Sequence, residues 1–324
     1  MKDIKISVVI PTYKRPALLK NCLKSLANQT LQEQLFEIIV VSDGPDRESE
    51  KVVSESSIEG LQHIRFLSLP IKKGPAAARN LGWKNALGTI IAFTDDDCLP
   101  DIRWLQNIVA KYNGEKEIAF TGKVVVPVSA PPTDFELNTK GLEKGEFVTA
   151  NCVVTKAALQ KIEGFDEAFE AAWREDSDLH FKLIGHGIPI IKLEEAIVVH
   201  PVRKAPWGIS IKEQKKTIFN ALLYKKYPTL YRQRIKSGPS WRYYLIIQFF
   251  ALFVIAAIPG LKWMMLIALL GWILLTAEFT IKRLSSTRKT GSHIFEMIVT
   301  SVVIPFLSVY WTLYGGLKYR VLFF

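Results

Sequence analysis

Residues 89–101 read TIIAFTDDDCLPD, an apolar run that drives directly into three consecutive carboxylates. Ile90, Ile91, Ala92 and Phe93 have the length and character of a buried strand bounded by turn residues. Asp95, Asp96 and Asp97 then stand at the carboxyl end of that strand, the edge where open α/β sheets bind their ligands. Three adjacent like charges repel unless something positive lies among them. A hard divalent cation such as Mg²⁺ or Mn²⁺, held by one or two carboxylates together with phosphate oxygens, meets that need. The plain alternative is a solvated acidic turn capping a helix that begins at Pro100 and Asp101.

The chain before this stretch repeats one unit. Residues 6–10 (ISVVI) form a short buried strand closed by Pro11, and Leu18, Leu19, Cys22, Leu23 and Leu26 follow at helical spacing. Residues 36–41 (FEIIVV) form a second strand that ends in Ser42-Asp43-Gly44. Residues 46–57 read as a helix, 63–67 as a third strand, and Lys73-Gly74-Pro75 breaks the chain before a helix over 76–86. Four alternations of strand and helix specify a doubly wound α/β sheet with a nucleotide site at the strand ends. Neither a G-x-G-x-x-G fingerprint nor a Walker A loop is present.

Charge divides the chain. Residues 1–200 carry 24 Lys and Arg against 28 Asp and Glu, residues 201–242 carry 11 against 1, and residues 243–324 carry 7 against 2. A basic segment placed directly before an apolar tail suits an anionic membrane surface, and we expect no nucleic-acid partner. Cys22, Cys98 and Cys152 lack any ligand spacing and read as reduced thiols of a cytosolic compartment. No signal peptide opens the sequence, because residues 1–5 run straight into the first strand.

Several segments together resemble a known family. VIPTYKR (9–15), VSDG (41–44), GPAAARNLG (74–82), DDD (95–97), Asn151, GFD (164–166) and WREDSDL (173–179) occur in the order of the family 2 glycosyltransferases of GT-A fold. The resemblance covers residues 4–201. It implies an inverting, Mn²⁺- or Mg²⁺-dependent transferase of hexosyl type that uses a nucleotide-diphospho-sugar donor, with a UDP- or GDP-sugar expected. It places Pro11, Thr12, Tyr13, Arg15, Asp43, Arg79, Asp95, Asp96, Asn151 and Glu175 on the donor, with Asp43 on the base. Asp97 is assigned to the metal and Asp95 or Asp96 to the ribose or sugar. His200, just before Pro201, corresponds to a histidine that some related enzymes use as a further metal ligand.

Each assignment has its own chemistry and a plainer rival. Asp43 can accept from a base N–H, or Ser-Asp-Gly-Pro can be a simple turn. Arg79, near a helix start, can pair with a diphosphate, or be a solvated surface residue, and Asn80 can be a local cap. Direct displacement at an anomeric carbon needs a general base within reach of the acceptor hydroxyl, and the resemblance puts it at Asp176, supported by Glu175 and Asp178. The rival reading makes Asp176 an N-cap. Residues 127–145 form a long irregular segment, expected near the acceptor or over the donor.

The sequence therefore divides into a GT-A domain (1–208), a basic amphipathic neck (209–240) and a C-terminal α-helical transmembrane region (241–324). In the neck Ile211, Ile218, Phe219, Leu222 and Leu223 interleave with Lys212, Lys215, Lys216, Lys225 and Lys226, the pattern of an interfacial helix. Apolar stretches at 243–258, 261–277 and 294–317 supply about three spans, the first at the short end and the third interrupted by Pro305. Basic residues in the neck and in 282–289 (KRLSSTRK) place both on the cytoplasmic side of a plasma membrane, with the catalytic domain facing the cytoplasm. The expected function is transfer of a sugar to a hydroxyl of a lipid-linked glycan or glycolipid. The alternatives are transfer to a polyprenyl phosphate and a non-catalytic nucleotide-binding head on a membrane scaffold. The Q-x-x-R-W motif of processive synthases is absent.

Overall fold

A computed structural model describes residues 4–58 and 61–323. The chain divides into two compact units: residues up to Pro127 with Lys140–Val202, and Val128–Thr139 with Arg203–Phe324.

The first unit is organised on one sheet. β1 (Ile6–Thr12), β2 (Phe36–Ser42), β3 (Ile64–Ser68) and β4 (Ile90–Phe93) alternate with α1 (Pro16–Ala27), α2 (Arg47–Ile58) and α3 (Pro75–Lys84). The chain continues through β5 (Leu99–Pro100), α4 (Trp104–Lys111), β6 (Ala119–Val125), α5 (Asp134–Lys140, of which residues 134–139 belong to the second unit), β7 (Cys152–Thr155), α6 (Lys156–Lys161), α7 (Glu175–Gly185) and β8 (Ile190–Val199). The strand order is β3-β2-β1-β4-β7-β6-β8-β5. The four strands from β3 to β4 are parallel, as the alternation predicts. Beyond β4 the sheet is mixed: β7 runs antiparallel to β4 and β6, β8 is parallel to β6, and β5 is antiparallel to β8.

The parallel half follows from composition. Every residue of β1, β2 and β4 is buried, which is what near-continuous apolar strands covered on both faces require. Helix α1 starts with Pro16 in its first turn and buries Leu19, Cys22, Leu23 and Leu26, one stripe of a 3.6-residue period. One core joins Val9, Ile39, Ile91 and Phe93 of the strands to Trp83, Leu159, Phe165, Leu179 and Leu183. Because β2 and β4 flank β1 on opposite sides, the strand order reverses there and a crevice opens at the carboxyl ends of β1 and β4. The three aspartates follow β4 at that point. They do not cap a helix at Pro100: Leu99 and Pro100 pair with Val199 and Val198, and α4 starts only at Trp104.

In the second unit the basic segment is broken into α8 (Ile209–Glu213), a 3-10 turn (Gln214–Thr217), α9 (Ile218–Lys226) and α10 (Pro228–Arg234), where one interfacial helix was expected. The apolar face of α9 is covered: Ile218, Phe219, Ala221, Leu222 and Leu223 are buried, and Gly315 lets the last long helix approach the Ile218 carbonyl closely. The three apolar stretches form α11 (Trp241–Ala257), α12 (Lys262–Leu284) and α13 (Gly291–Tyr319). Among the described residues, α12 and α13 are long and apolar enough to cross a membrane, whereas α11 has 17 residues. Helix α13 continues through Pro305. Residues 128–139 also belong here, so the irregular segment is no free loop. Arg283 grips Asp134 through two guanidinium nitrogens, Nη2 at 2.7 Å and Nε at 3.3 Å, and the backbone N–H of Arg288 donates to the Pro132 carbonyl.

Candidate active site

At the end of β1, Thr12 Oγ1 donates to Asp96 Oδ2 at 2.7 Å. Arg15 lies 3.0 Å from Asp96 Oδ1 and 3.9 Å from Asp97 Oδ2. Asp96 is fully buried, and burial pushes its carboxyl up to about 7 against the opposing pull of Arg15 and Thr12. Asp95 has the reverse balance. Burial raises it too, but the charge and hydrogen bond of Arg79 win, and its carboxyl is held below the usual range.

Arg79 is not a solvated surface residue. Its side chain is 3% exposed and bridges Asp95, at 2.7 Å, and Glu175, at 3.2 Å. It lies on α3, directly after the Gly74-Pro75 break. Gly74 is required there twice over: φ is +102°, and a Cβ would fall 2.3 Å from the Glu170 carbonyl oxygen. Burial pushes Glu175 up, with Arg79 opposing and Asp176 reinforcing. Through Arg79 the acidic triplet is thus joined to the start of α7, about which sequence spacing says nothing.

Helix α7 begins after Arg174, whose φ of 75° lies in the left-handed region. Glu175 and Asp176 are successive residues of the first turn, so they point in different directions. Glu175 is buried against Arg79, while Asp176 is half-buried, its Oδ1 accepting from Ser177 N–H at 2.6 Å and Ser177 Oγ at 3.2 Å. Asp178 faces the interior, 3.8 Å from Lys182 Nζ.

A second group sits at the end of β2. Asp43 Oδ1 accepts two backbone hydrogen bonds, from Lys73 N–H at 2.7 Å and Gly74 N–H at 2.8 Å, which fixes the carboxylate. Tyr13 packs on Gly44, and Lys72 Nζ lies 4.3 Å from the centre of its ring. A fixed carboxylate beside an aromatic face is what recognition of a flat heterocycle needs. Pro11 is a buried residue of β1, in register with Val41.

Two motif residues are structural bolts. Asn151, expected on the donor, is fully buried with its amide committed internally. Its Oδ1 accepts from Trp104 Nε1 at 2.9 Å, and Nδ2 donates to the Lys123 and Ala196 carbonyls. Where contact with the donor was expected, the amide instead ties Lys123 of β6, Ala196 within β8 and Trp104 of α4 together. Asn80 is no cap either. It exchanges hydrogen bonds with Phe165 N–H and C=O and accepts from Trp83, pinning the GFD turn to α3.

Asp95, Asp97, Cys98 and His200 each bring one potential ligand atom to within 4.8 Å of the others. His200 Nε2 is 3.6 Å from Asp97 Oδ1, and His200 Nδ1 is buried without a hydrogen-bond partner among the described residues. Two carboxylates and an imidazole that converge in this way fit Mg²⁺ or Mn²⁺. Cys98 escaped the sequence reading because its partner His200 comes from the far end of the domain.

Residues 7–155 match the family model described as Glycosyl transferase family 2. The chain carries a family 2 glycosyltransferase domain. This chain is 27% identical over 252 residues to validoxylamine A glucosyltransferase of Streptomyces hygroscopicus subsp. limoneus, covering 65% of this chain and 52% of that one. Its fold is similar to mannosyltransferase PcManGT from Pyrobaculum calidifontis, solved in complex with GDP-Man and Mn²⁺. That match has a TM-score of 0.55 at 14% identity and covers 98% of this chain and 87% of that one. S. aureus TarS in complex with UDP matches with a TM-score of 0.52 at 16% identity, covering 97% and 92%. These likenesses establish the GT-A architecture of the glycosyltransferase domain. The chain spans 36–56% of the length of the first curated relatives it matches.

Proposed function

We propose that this chain is an inverting, metal-dependent hexosyltransferase. It moves a sugar from a UDP- or GDP-sugar to a hydroxyl of a lipid-linked acceptor at a membrane. The observation that carries this reading is the Arg79 bridge, which draws Asp95 of the acidic triplet and Glu175 of the α7 turn to one cation at 2.7 and 3.2 Å. Donor chemistry and acceptor chemistry thereby share one crevice. The nucleotides named with the TarS and PcManGT structures support the donor class.

In this reading Tyr13 and Asp43 hold the base, and Thr12 and Arg15 keep the triplet in place beneath the ribose and diphosphate. Asp95, Asp97 and His200 would hold a divalent cation, which when bound supplies Lewis-acid neutralisation of the diphosphate. Asp176 is the general base. The acceptor oxygen forms its bond to the anomeric carbon as the bond from that carbon to the diphosphate oxygen breaks. The hydroxyl proton passes to the Asp176 carboxylate, and the nucleoside diphosphate leaves with the electron pair. One in-line displacement inverts the anomeric centre.

The test is thermal stability of the detergent-purified protein with UDP, GDP, CDP and dTDP, each with and without Mn²⁺, beside Asp97→Ala. A nucleotide at a hundredfold its dissociation constant adds about 2.7 kcal/mol. The expected result is one responsive nucleotide, dependent on metal and lost in the variant. No response to any nucleotide would overturn the reading.

A further inference from the structure

Cys98 is the member of the four-residue cluster that the transfer chemistry does not use. It is fully buried, and its N–H donates to the Asp95 carbonyl at 3.1 Å, closing a tight turn that folds position 98 back on the carboxylates. The cluster therefore holds four donors of mixed character within 4.8 Å: two carboxylates, an imidazole and a thiol. His200, 8% exposed, brings Nε2 to 3.6 Å from Asp97 Oδ1, so its imidazole is held against the carboxylates with little access to solvent.

The count and type of donors matter. Hard six-coordinate cations take oxygen and imidazole ligands, keep positions open for phosphate oxygens, and have little use for sulfur. Zn²⁺ takes four ligands, and a set of Cys, His and carboxylates saturates it. A saturated site leaves no position for a diphosphate. Cys22 provides the contrast. It is also buried beside the triplet, with Sγ 3.6 Å from the Asp95 carbonyl oxygen, but it is not a member of the cluster.

We propose that Cys98 makes this centre a closed, thiolate-bearing trap for Zn²⁺ and related soft cations, distinct from its open mode with Mn²⁺ or Mg²⁺. On capture the thiol proton is released to solvent and a metal–sulfur bond forms. This inference rests on the metal-binding reading of the same site.

Calorimetry of the detergent-purified full chain with Mn²⁺ alone and Zn²⁺ alone, and optical spectra with Co²⁺, test it on wild type, Cys98→Ser, Cys98→Ala and Cys22→Ser. We expect a sulfur-to-cobalt charge-transfer band in wild type and Cys22→Ser that both Cys98 variants lack. We expect Zn²⁺ affinity to fall about tenfold or more in the Cys98 variants, with Mn²⁺ affinity within about twofold of wild type. Retained Mn²⁺ binding doubles as the check that the variants are folded. Mn²⁺ and Zn²⁺ binding that are both indifferent to Cys98, with no sulfur band, would overturn the trap and leave the transferase reading intact. Failure of wild type to bind any of the three metals would overturn both.

Discussion

Arg79 and Asp176 show at the residue scale how differently two motif side chains act. Arg79 is one buried cation between two carboxylates, so removing it takes the nearest counter-charge from both. Arg79→Met should therefore destabilise the first unit by about 3–5 kcal/mol, read as a fall in melting temperature without ligand. A loss well under 1 kcal/mol would mean that Asp95 and Glu175 find water when the cation goes. Asp176 carries a lighter structural duty, its carboxylate being half-buried and, among the described residues, accepting from the neighbouring Ser177. Asp176→Asn should cut single-turnover transfer by about 10²–10⁴ while nucleotide-induced stabilisation persists. Undiminished transfer would move the base elsewhere. Both residues are visible in the sequence as motif members. Only Asp176's exposure and Arg79's burial separate their roles, and burial at Arg79 depends on a helix 96 positions away.

At the element scale, the parallel half of the sheet was legible because every buried strand is apolar and a turn follows each one. The mixed half was not, since β6, β7 and β8 alternate less clearly and their order is decided by pairing across long separations. Asn151 illustrates the loss. Its amide bonds Trp104, Lys123 and Ala196, and a Cβ at Gly122 would lie 2.4 Å from it, none of which a one-dimensional motif records. The segment holding α5 was read as irregular for a similar reason. Its order comes from Glu136, which accepts from Thr133 N–H at 2.6 Å and from Ser129 N–H and Oγ. Burial alone would raise this carboxyl, but those bonds outweigh it and bring it down to about 2. The unfolded value is about 4.3, so the folded pKa is depressed. The contribution is fully present above roughly pH 5 and is lost as pH falls through about 2. Thermal melts of wild type and Glu136→Gln from pH 6 down to pH 2 should show the wild-type advantage shrinking steadily. An advantage that does not change with pH would assign the effect to packing rather than to the charge.

The whole molecule poses a problem of solvent. Along α12, Trp263, Ile267, Leu270 and Leu274 are 79%, 63%, 48% and 67% exposed, and their spacing puts them on one face. Soluble monomers rarely leave contiguous apolar surface beyond a few hundred Å² uncovered, so this face calls for lipid or another protein. The length and hydropathy of α12 and α13 favour lipid. If so, detergent-free protein should float with vesicles. Leu274→Arg should lower that fraction sharply, because an arginine near the middle of a span costs about 2.5–3.5 kcal/mol, whereas Leu274→Val should not. If Leu274→Arg floats as well as wild type, the bilayer does not cover this face. Sedimentation would then be expected to show a second copy covering it, with the variant reduced to the mass of one chain.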